Sequence, residues 1–237
     1  NWVPPYAGRR MQNWLENMGD WNISRKRYWG LPLPFYTCAN GHFFVLGSEE
    51  ELRERAISGL DQLRELHRPW IDGVVVGCPT CGAASQRVRV VGDCWLDAGV
   101  VPFSTLDYLH GRERWERWFP ADYVVEMHEQ IRLWFYSLLF FSVVLTGKAP
   151  YRNLGAFHPM LEAPGVEFHK TGENLVSLSE ACERAGADVI RWSVSRQNVQ
   201  ENMYFGWAAY DEVKRRFLTL WNTYSFFVTY ANLDRFD

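Results

Sequence analysis

The sequence has no hydrophobic run long enough to cross a membrane. Its longest apolar stretches, such as Trp134 to Leu145, hold about a dozen residues and are interrupted by Tyr136, Ser137 and Ser142, whereas a membrane-spanning helix needs roughly 20. We therefore expect neither a transmembrane segment nor a membrane partner.

Cysteine is scarce, and the amino end shows no secretory signal. The five cysteines are an odd number and include one Cys-x-x-Cys pair. That pattern fits metal-binding or inert thiols in a reducing compartment better than a disulfide framework, so it predicts a cytoplasmic protein. The chain begins at Asn1 and its first methionine is Met11, so we expect it to be cut from a longer polypeptide.

An excess of positive charge is also lacking. The 28 aspartates and glutamates outnumber the 25 lysines and arginines, which gives a net charge of −3. This excludes a globally basic nucleic-acid binder, and we expect no DNA partner. Two local clusters remain, Arg25, Lys26 and Arg27 beside two aromatic residues, and a second with Lys214 and Arg215. Each fits a solvated surface as well as an RNA contact.

The rest of the composition is that of an ordinary folded protein. With 237 residues, of which 47% are hydrophobic and 22% charged, the chain can form one large domain or two small ones around a sizeable core. The 12 tryptophans exceed what such a core needs for bulk hydrophobicity. We expect some of them to line a pocket.

Strand-like segments alternate with helical ones, which predicts an α/β core followed by an all-helical piece. Short strands are expected within Tyr36–Leu46, where β-forming residues flank a turn. Apolar residues recur at helical spacing over Arg9–Trp21, Gln130–Thr146, Ser177–Ala185 and Asp211–Ala231, and these are the helices we predict with most support from pattern.

A turn-rich segment contains the strongest local motif for chemistry. Cys78 and Cys81 form a Cys-x-x-Cys pair, and Cys38 with His42 can supply a second pair. Tetrahedral zinc is bound by four nitrogen or sulfur ligands, which such paired turns provide. The alternative is that Cys38 is a small apolar filler and His42 a surface turn residue.

Two further segments bring polar groups to the ends of strand-like runs. Asp93-Cys-Trp-Leu-Asp-Ala-Gly99 places two carboxylates around Trp95, and it equally fits a turn with a buried tryptophan. Glu126 and Glu129 precede a helix directly after a β-rich run, which is where α/β folds place ligands. They also fit simple complements of a helix dipole.

The motifs taken together resemble the class I isoleucyl-tRNA synthetase family over nearly the whole chain. Asp20-Trp-Asn-Ile-Ser-Arg-Lys-Arg-Tyr-Trp-Gly-Leu-Pro-Leu-Pro34 resembles the point where these enzymes re-enter their catalytic Rossmann domain. His67-Arg-Pro69, the cysteine knuckle, Asp93 to Gly99 and Gly186-Ala-Asp-Val-Ile-Arg-Trp192 follow in the family's order. The resemblance implies a fold class, an α/β Rossmann-type core with an inserted zinc-knuckle-like module and a C-terminal helical piece.

The resemblance also implies four parts of the chain. These are a re-entry helix and first core element at 1–35, the inserted knuckle module at 36–91, the second half of the catalytic core at 92–193, and the stem-contact region with the start of the helical anticodon-binding domain at 194–237. The implied partners are isoleucine, ATP with Mg²⁺, and tRNA(Ile), which the two basic clusters would contact. Zn²⁺ is the implied metal.

Site residues of the family carry over by position. Trp95 and Trp134 match the tryptophans that form the isoleucine side-chain pocket, while Glu126 and Gln130 match residues near the aminoacyl-adenylate. Glu129 stands where the family has a ribose-binding Asp. Such a pocket separates side chains differing by one methylene by only about 1–3 kcal/mol, a limit for which this enzyme family is itself a standard example.

The family's lysine loop, Lys-Met-Ser-Lys-Ser, is altered. The chain has Glu167-Phe-His-Lys-Thr-Gly-Glu-Asn174 in its place. The resemblance assigns Lys170 and Thr171 to catalysis, and Lys170, Asn174 and His158 to ATP binding. A carboxylate at Glu167 would oppose the ATP phosphates, so we expect impaired activation.

Other departures point the same way. Met127 and Leu133 replace two glycines of the adenylate motif, so side chains would intrude where backbone approaches ligand. The family's His-Gly dipeptide becomes Phe157-His158, and its His-x-Gly-His signature is absent. In the knuckle, Asn40 or Gly41 stands in place of the second cysteine, so zinc would depend on His42.

Three hypotheses remain open from the sequence. The segment belongs to a divergent isoleucine–tRNA ligase, active only as part of a longer chain; or it belongs to an inactive paralogue that binds tRNA or nucleotide; or the fold survives as a module that binds a protein partner. The altered lysine loop is the feature that separates them, because one lysine stands where two are expected.

Overall fold

The computed structural model describes residues 1–169, 172 and 174–236. The chain divides into two compact units. The first unit contains Asn1, Pro5–Val124 and Glu129–Leu154, and the second contains Trp2–Pro4, Val125–His128 and the chain from Gly155 onward. Both units contain helices and strands, which confirms the mixed α/β class.

Five helices belong to the first unit. They are α1 (Pro5–Asn17), α2 (Glu49–Arg55), α3 (Cys94–Ser104), α4 (Arg112–Trp118) and α5 (Trp134–Thr146).

The first helix is displaced from its predicted position. α1 was expected at Arg9–Trp21 but spans Pro5–Asn17. It begins at Pro5 because proline suits the first helical position. At its other end the side-chain NH₂ of Asn17 donates back to the Asn13 carbonyl at 2.8 Å. Trp21 therefore lies in the loop that follows.

The expected helix from Gln130 to Thr146 is divided into two pieces. A 3-10 helix covers His128–Arg132, and α5 begins only at Trp134. The Gln130 side-chain oxygen accepts the Trp134 amide at 3.0 Å, so it satisfies a first-turn donor of α5. Gly147, with φ of 68°, ends the helix as predicted.

Five short strands form an antiparallel sheet within the predicted knuckle module. The spatial order is β4-β3-β7-β6-β5. The strands are β3 (Phe35–Cys38), β4 (Phe43–Val45), β5 (Ala56–Ser58), β6 (Val75–Gly77) and β7 (Ala84–Arg87).

One face of that sheet carries a small core. Tyr36, Val74 and Val76 are fully buried and pack with Leu46 and Leu52. Leu52 comes from α2, whose N-cap Ser48 accepts the Glu51 amide at 3.1 Å.

Short strand pairs complete the framework. The strands β1 (Trp2–Val3), β10 (Tyr151–Phe157) and β9 (Ala121–Met127) form a three-stranded sheet in that order. The strands β2 (Ser24–Arg25) and β8 (Val91–Gly92) pair antiparallel. This second pair joins the loop after α1 to the start of α3.

The second unit is mainly helical. It contains α6 (Leu178–Ala185), α7 (Ala187–Ser195), α8 (Trp207–Asp234) and the parallel pair β11 (Met160–Leu161) and β12 (Met203–Tyr204).

The last helix confirms the long amphipathic pattern but is covered only near its start. Tyr210 and Val213 pack with Ala185 and Val189, whereas Leu220 is 67% exposed. In the described part of the chain, no helix combines the length and hydropathy that a bilayer span requires.

Helices α3 and α5 pack closely at Gly99. A Cβ at this position would lie 2.7 Å from the Ser137 carbonyl oxygen and 2.8 Å from a ring carbon of Phe141. Ser137 is itself fully buried. The absence of a side chain at Gly99 therefore sets the distance between the two helices.

We predict that Gly99→Ala destabilises the protein by about 1–3 kcal/mol, because the added methyl must displace backbone rather than a flexible side chain. The matched control is Gly19→Ala, where no atom lies within 4 Å of the new Cβ. Urea unfolding of both variants measures the difference. Equal unfolding midpoints for the two would contradict this account of the packing.

Candidate functional site

The candidate site in the first unit is organised by a buried carboxylate. Asp93 is 3% exposed and caps α3 by accepting the Trp95 amide at 3.0 Å. It also accepts the indole N–H of Trp21 at 3.2 Å and forms an ion pair with Arg25. Asp93 thereby ties the loop after α1 to the helix that carries Trp95.

The surroundings keep this carboxyl charged. Burial raises the pKa of Asp93, but hydrogen bonds from the Trp95 amide and the Trp21 indole and the positive charge of Arg25 together hold it below its usual value. Arg25, expected to contact RNA, is therefore engaged within the protein.

Trp95 forms part of the wall of an aromatic cavity of about 210 Å³. The walls come from α1, the loop after it, α3 and the segment leading into α5. The lining residues are Trp14, Met18, Gly19, Asp20, Trp21, Asn22, Trp95, Arg132, Leu133 and Tyr136. One of the expected pocket tryptophans therefore does border a cavity.

Trp134 is held rigidly beside α3 but lies outside the lining of that cavity, among the residues described. Its indole N–H donates to the Ala98 carbonyl at 2.8 Å, and its backbone amide donates to the Gln130 side chain. Since Ala98 and Trp95 share α3, the structure connects both expected pocket tryptophans to one helix.

The two expected glutamates have separate positions. Glu126 is half-buried on β9 and accepts the Met127 amide at 2.9 Å, in the second unit. Glu129 is exposed in the 3-10 helix that precedes α5, in the first unit.

The expected nucleotide residues of the second unit form two small clusters. His158 stacks against His128 with ring centroids 4.4 Å apart, and its Nδ1 lies 3.1 Å from Oδ1 of Asn202. Sequence reasoning did not single out His128 or Asn202, because only the fold brings three distant segments together.

In the second cluster the side-chain NH₂ of Asn174 makes two hydrogen bonds. It donates to Glu162 at 2.8 Å and to the Glu167 carbonyl at 3.1 Å. The Glu167 side chain is exposed. Lys170 and Thr171 lie outside the described residues.

The register of the small sheet brings the cysteine motif together. Cys38 at the end of β3 pairs with Ser85, and Gly77 just before Cys78 pairs with Ala84. The ends of these strands, and the turns that follow them, therefore lie at the same edge of the sheet.

The four expected ligand atoms of Cys38, His42, Cys78 and Cys81 all lie within 4.8 Å of one another. The Cys38 and Cys81 sulfurs are 3.9 Å apart. His42 Nδ1 is 3.5 Å from the Cys38 sulfur and 3.7 Å from the Cys78 sulfur. A zinc tetrahedron with its usual bond lengths has edges of about 3.8 Å between sulfurs and about 3.6 Å between sulfur and nitrogen. These three distances lie close to those edges, so the donor set and its spacing fit such an ion.

Hydrogen bonds also favour the thiolate form of two of the three cysteines by lowering their pKa values. The Ala83 amide and the Asn40 side chain lower the pKa of Cys81 to about 6. Burial raises the pKa of Cys78, but backbone amides outweigh it and lower the pKa overall. Burial raises the pKa of Cys38. Asn40, one of the two residues expected in place of the family's second cysteine, therefore supports a ligand through a 3.4 Å contact with the Cys81 sulfur.

The remaining basic residues expected to contact RNA are all exposed. Lys26 and Arg27 lie in the loop after β2, in the first unit. Lys214 and Arg215 lie on α8, in the second unit.

Comparison with known proteins places the chain in a family. Residues 1–205 match the family model of the tRNA synthetases class I (I, L, M and V), so the chain belongs to the class I tRNA synthetases. The sequence resemblance is thereby confirmed.

Curated relatives show which members of that class the chain is similar to. The isoleucine–tRNA ligases of Methanopyrus kandleri and Clostridium novyi are 40% and 41% identical to it over 100% of the chain. That of Saccharolobus islandicus is 40% identical, also over 100% of the chain. The chain spans only 22–23% of the length of these relatives.

A solved structure supports the fold. It is a ternary complex of a LeuRS from Agrobacterium radiobacter K84 with tRNA and LeuAMS, with a TM-score of 0.67 at 20% identity. The match covers 97% of this chain and 32% of that one. The expected class I synthetase core is thus confirmed.

We predict that Asp93→Asn lowers the free energy of unfolding by about 1–2 kcal/mol, because the amide loses the ion pair with Arg25. The control is Asp122→Asn, because the ion pair between Asp122 and Arg152 is exposed to solvent. Urea unfolding at pH 7 measures both.

The effect of pH has a defined sign. Since the pKa of Asp93 is lowered on folding, its stabilisation is present above the unfolded value of about 3.9 and is lost as the pH falls through the folded value. The gap between the wild-type and Asp93→Asn proteins should therefore shrink below about pH 4. A gap independent of pH would contradict a charged Asp93.

Proposed function

We propose that this chain is the part of an isoleucine–tRNA ligase that contains the second half of its catalytic core. The observation that carries the proposal is the match to isoleucine–tRNA ligases over the full chain at about 40% identity. The parts assigned from the sequence, 1–35, 36–91, 92–193 and 194–237, become the re-entry element, the knuckle module, the catalytic half and the start of the helical anticodon-binding domain.

The proposed reaction joins isoleucine to ATP, releases pyrophosphate, and then transfers the aminoacyl group to tRNA(Ile). The aromatic cavity beside Trp95 suits a branched aliphatic side chain, since it removes apolar surface from water. Trp134 and Gln130, held against α3 and the start of α5, keep that side of the pocket fixed. By the same resemblance, Glu126 and Gln130 are proposed to contact the aminoacyl-adenylate region, and Glu129 takes the position of the ribose-binding residue.

The proposed impairment of isoleucine activation lies at the residues expected to bind the ATP phosphates. Lys170 and Thr171 are proposed as catalytic residues, with Lys170, Asn174 and His158 on ATP and its Mg²⁺. Glu167 is exposed, so its carboxylate remains free to repel a polyphosphate. Loss of one electrostatic contact of this kind lowers a rate by about 10²–10³.

The carboxylate at Glu167 also supports a second candidate function. A chain with a carboxylate at the phosphate site and one lysine instead of two fits a synthetase paralogue that retains binding of tRNA, nucleotide or a protein partner without activation. The basic residues Arg25, Lys26, Arg27, Lys214 and Arg215 are the proposed tRNA contacts in either case. Reduced cysteines are consistent with the cytoplasm as the compartment.

We further propose that the knuckle holds a structural zinc ion. Three distances among its ligand atoms are close to the edges of a zinc tetrahedron, and four ligands would leave no open coordination position for catalysis. Bound zinc would fix the turns after β3 and β6 and so stabilise the small sheet.

Zinc analysis tests the metal directly. We predict one zinc per chain after desalting, and its loss in the double variant Cys78→Ser with Cys81→Ser, because serine hydroxyls are poor zinc ligands. Cys182→Ser, at a half-buried cysteine on α6, is the control and should keep the metal. Unchanged zinc in the double variant would rule out the knuckle.

Isoleucine-dependent exchange between pyrophosphate and ATP tests the activation step. On the full natural polypeptide that contains this chain, we predict slow exchange that Glu167→Lys accelerates by about 10²-fold, because a lysine there favours the developing pyrophosphate charge. Glu183→Lys, the same charge change at an exposed position on α6, is the control.

The outcomes separate the two candidate functions. Exchange that is fast in the natural protein and unchanged by Glu167→Lys would refute the impairment. No exchange in either protein would refute activation and favour the paralogue that only binds.

A further inference from the structure

Two neighbouring aromatic side chains stand out on the surface of the first unit. Trp29 is 69% exposed and Tyr28 is 58% exposed. Leaving such large rings in water forgoes the favourable free energy of burying them. Neither ring belongs to the aromatic cavity or to the metal-binding group.

Trp29 is held flat rather than free to turn. Its ring stacks on that of His67 with centroids 5.2 Å apart and planes 13° apart. One face of the indole is thereby fixed by the protein, and the high exposure leaves the other open to solvent. A planar ring presented in this way can receive another planar ring in parallel contact.

Tyr28 is held by an arginine that the interior positions. The Arg68 guanidinium lies 4.9 Å from the Tyr28 ring centroid and donates to the Arg27 carbonyl at 3.0 Å and to Asp72 at 2.7 Å. Asp72 is bound in turn by Arg87, whose side chain is 1% exposed. The surface aromatics are therefore anchored to the core of the small sheet.

The charge around these rings is positive. Lys26 and Arg27 precede Tyr28 in the chain and are exposed, and Arg68 lies over the ring itself. Asp72 lies between two guanidinium groups, so its negative charge is compensated. Aromatic rings flanked by cations are the arrangement that proteins use for single-stranded nucleic acid, whose bases stack while phosphates meet the cations.

We propose that Tyr28, Trp29 and His67 form a stacking platform for an unpaired base of RNA, with Lys26 and Arg27 on the flanking phosphates. The proposal depends on the proposed function, because tRNA is the RNA partner it names. Duplex RNA does not fit the platform, since its bases are already stacked within the helix.

Binding of labelled RNA to the full protein tests the platform. The probes are a tRNA(Ile) transcript, an unstructured 12-nucleotide RNA, and the same RNA annealed to its complement. The variants are Trp29→Ala and Trp29→Tyr, with Trp118→Ala as a matched control at a tryptophan that is 64% exposed on α4.

The platform predicts a specific set of results. Trp29→Ala should weaken binding of the tRNA and of the single strand about tenfold, the usual loss for one stacked base. Its salt dependence should not change, whereas Arg27→Ala should reduce the salt slope by about one. Trp29→Tyr should keep most of the affinity, and Trp118→Ala all of it.

Several outcomes would overturn the platform. These are an unchanged affinity in Trp29→Ala, an equal loss in Trp29→Tyr, an equal loss for the duplex probe, or no RNA binding by the wild-type protein. Isoleucine-dependent exchange decides the proposed function separately. Exchange together with insensitivity to Trp29→Ala would refute only the platform, and a tenfold loss without exchange would refute only activation.

Discussion

The buried carboxylate of Asp93 is the interaction on which the first unit depends. It begins α3, accepts the indole of Trp21 and pairs with Arg25, so one side chain fixes the helix, the loop and the aromatic wall between them. A buried charge with these three partners is stable only while all of them are in place. The geometry around Trp95 is therefore a property of the whole junction rather than of Trp95 itself.

Several helices could be predicted from the sequence because residues close in sequence determine where they end. The cap at Ser177 and the left-handed residue Gly147 set helix ends through bonds to near neighbours, and apolar spacing predicted the helices Ser177–Ala185 and Gln130–Thr146 that end there. The errors lie where a side chain competes with the helix from outside the repeating pattern. Asn17 ends α1 early and Gln130 delays the start of α5, and apolar spacing carries no information about either bond.

The candidate site was predictable to a similar degree. The Cys-x-x-Cys spacing identified the candidate metal-binding group, because cysteine and histidine are the residue types that supply sulfur and nitrogen ligands. Its completion by His42 depends on strand register, which places Cys38 beside the turn at Cys78. From the sequence, the segment from Asp93 fitted a functional site with two carboxylates and a turn with a buried tryptophan equally well. Its outcome depended on partners up to 72 residues away in sequence, which no local pattern contains.

The bond from the Trp134 indole to the Ala98 carbonyl limits how this site can change. That carbonyl belongs to the backbone of α3, and Gly99 beside it admits no side chain against α5. The indole is therefore locked to main-chain atoms that substitution cannot remove. In the proposed isoleucine pocket, a changed amino-acid preference is expected to come from residues of the cavity wall, because α3 and α5 pack closely at Gly99 and are bonded through Trp134.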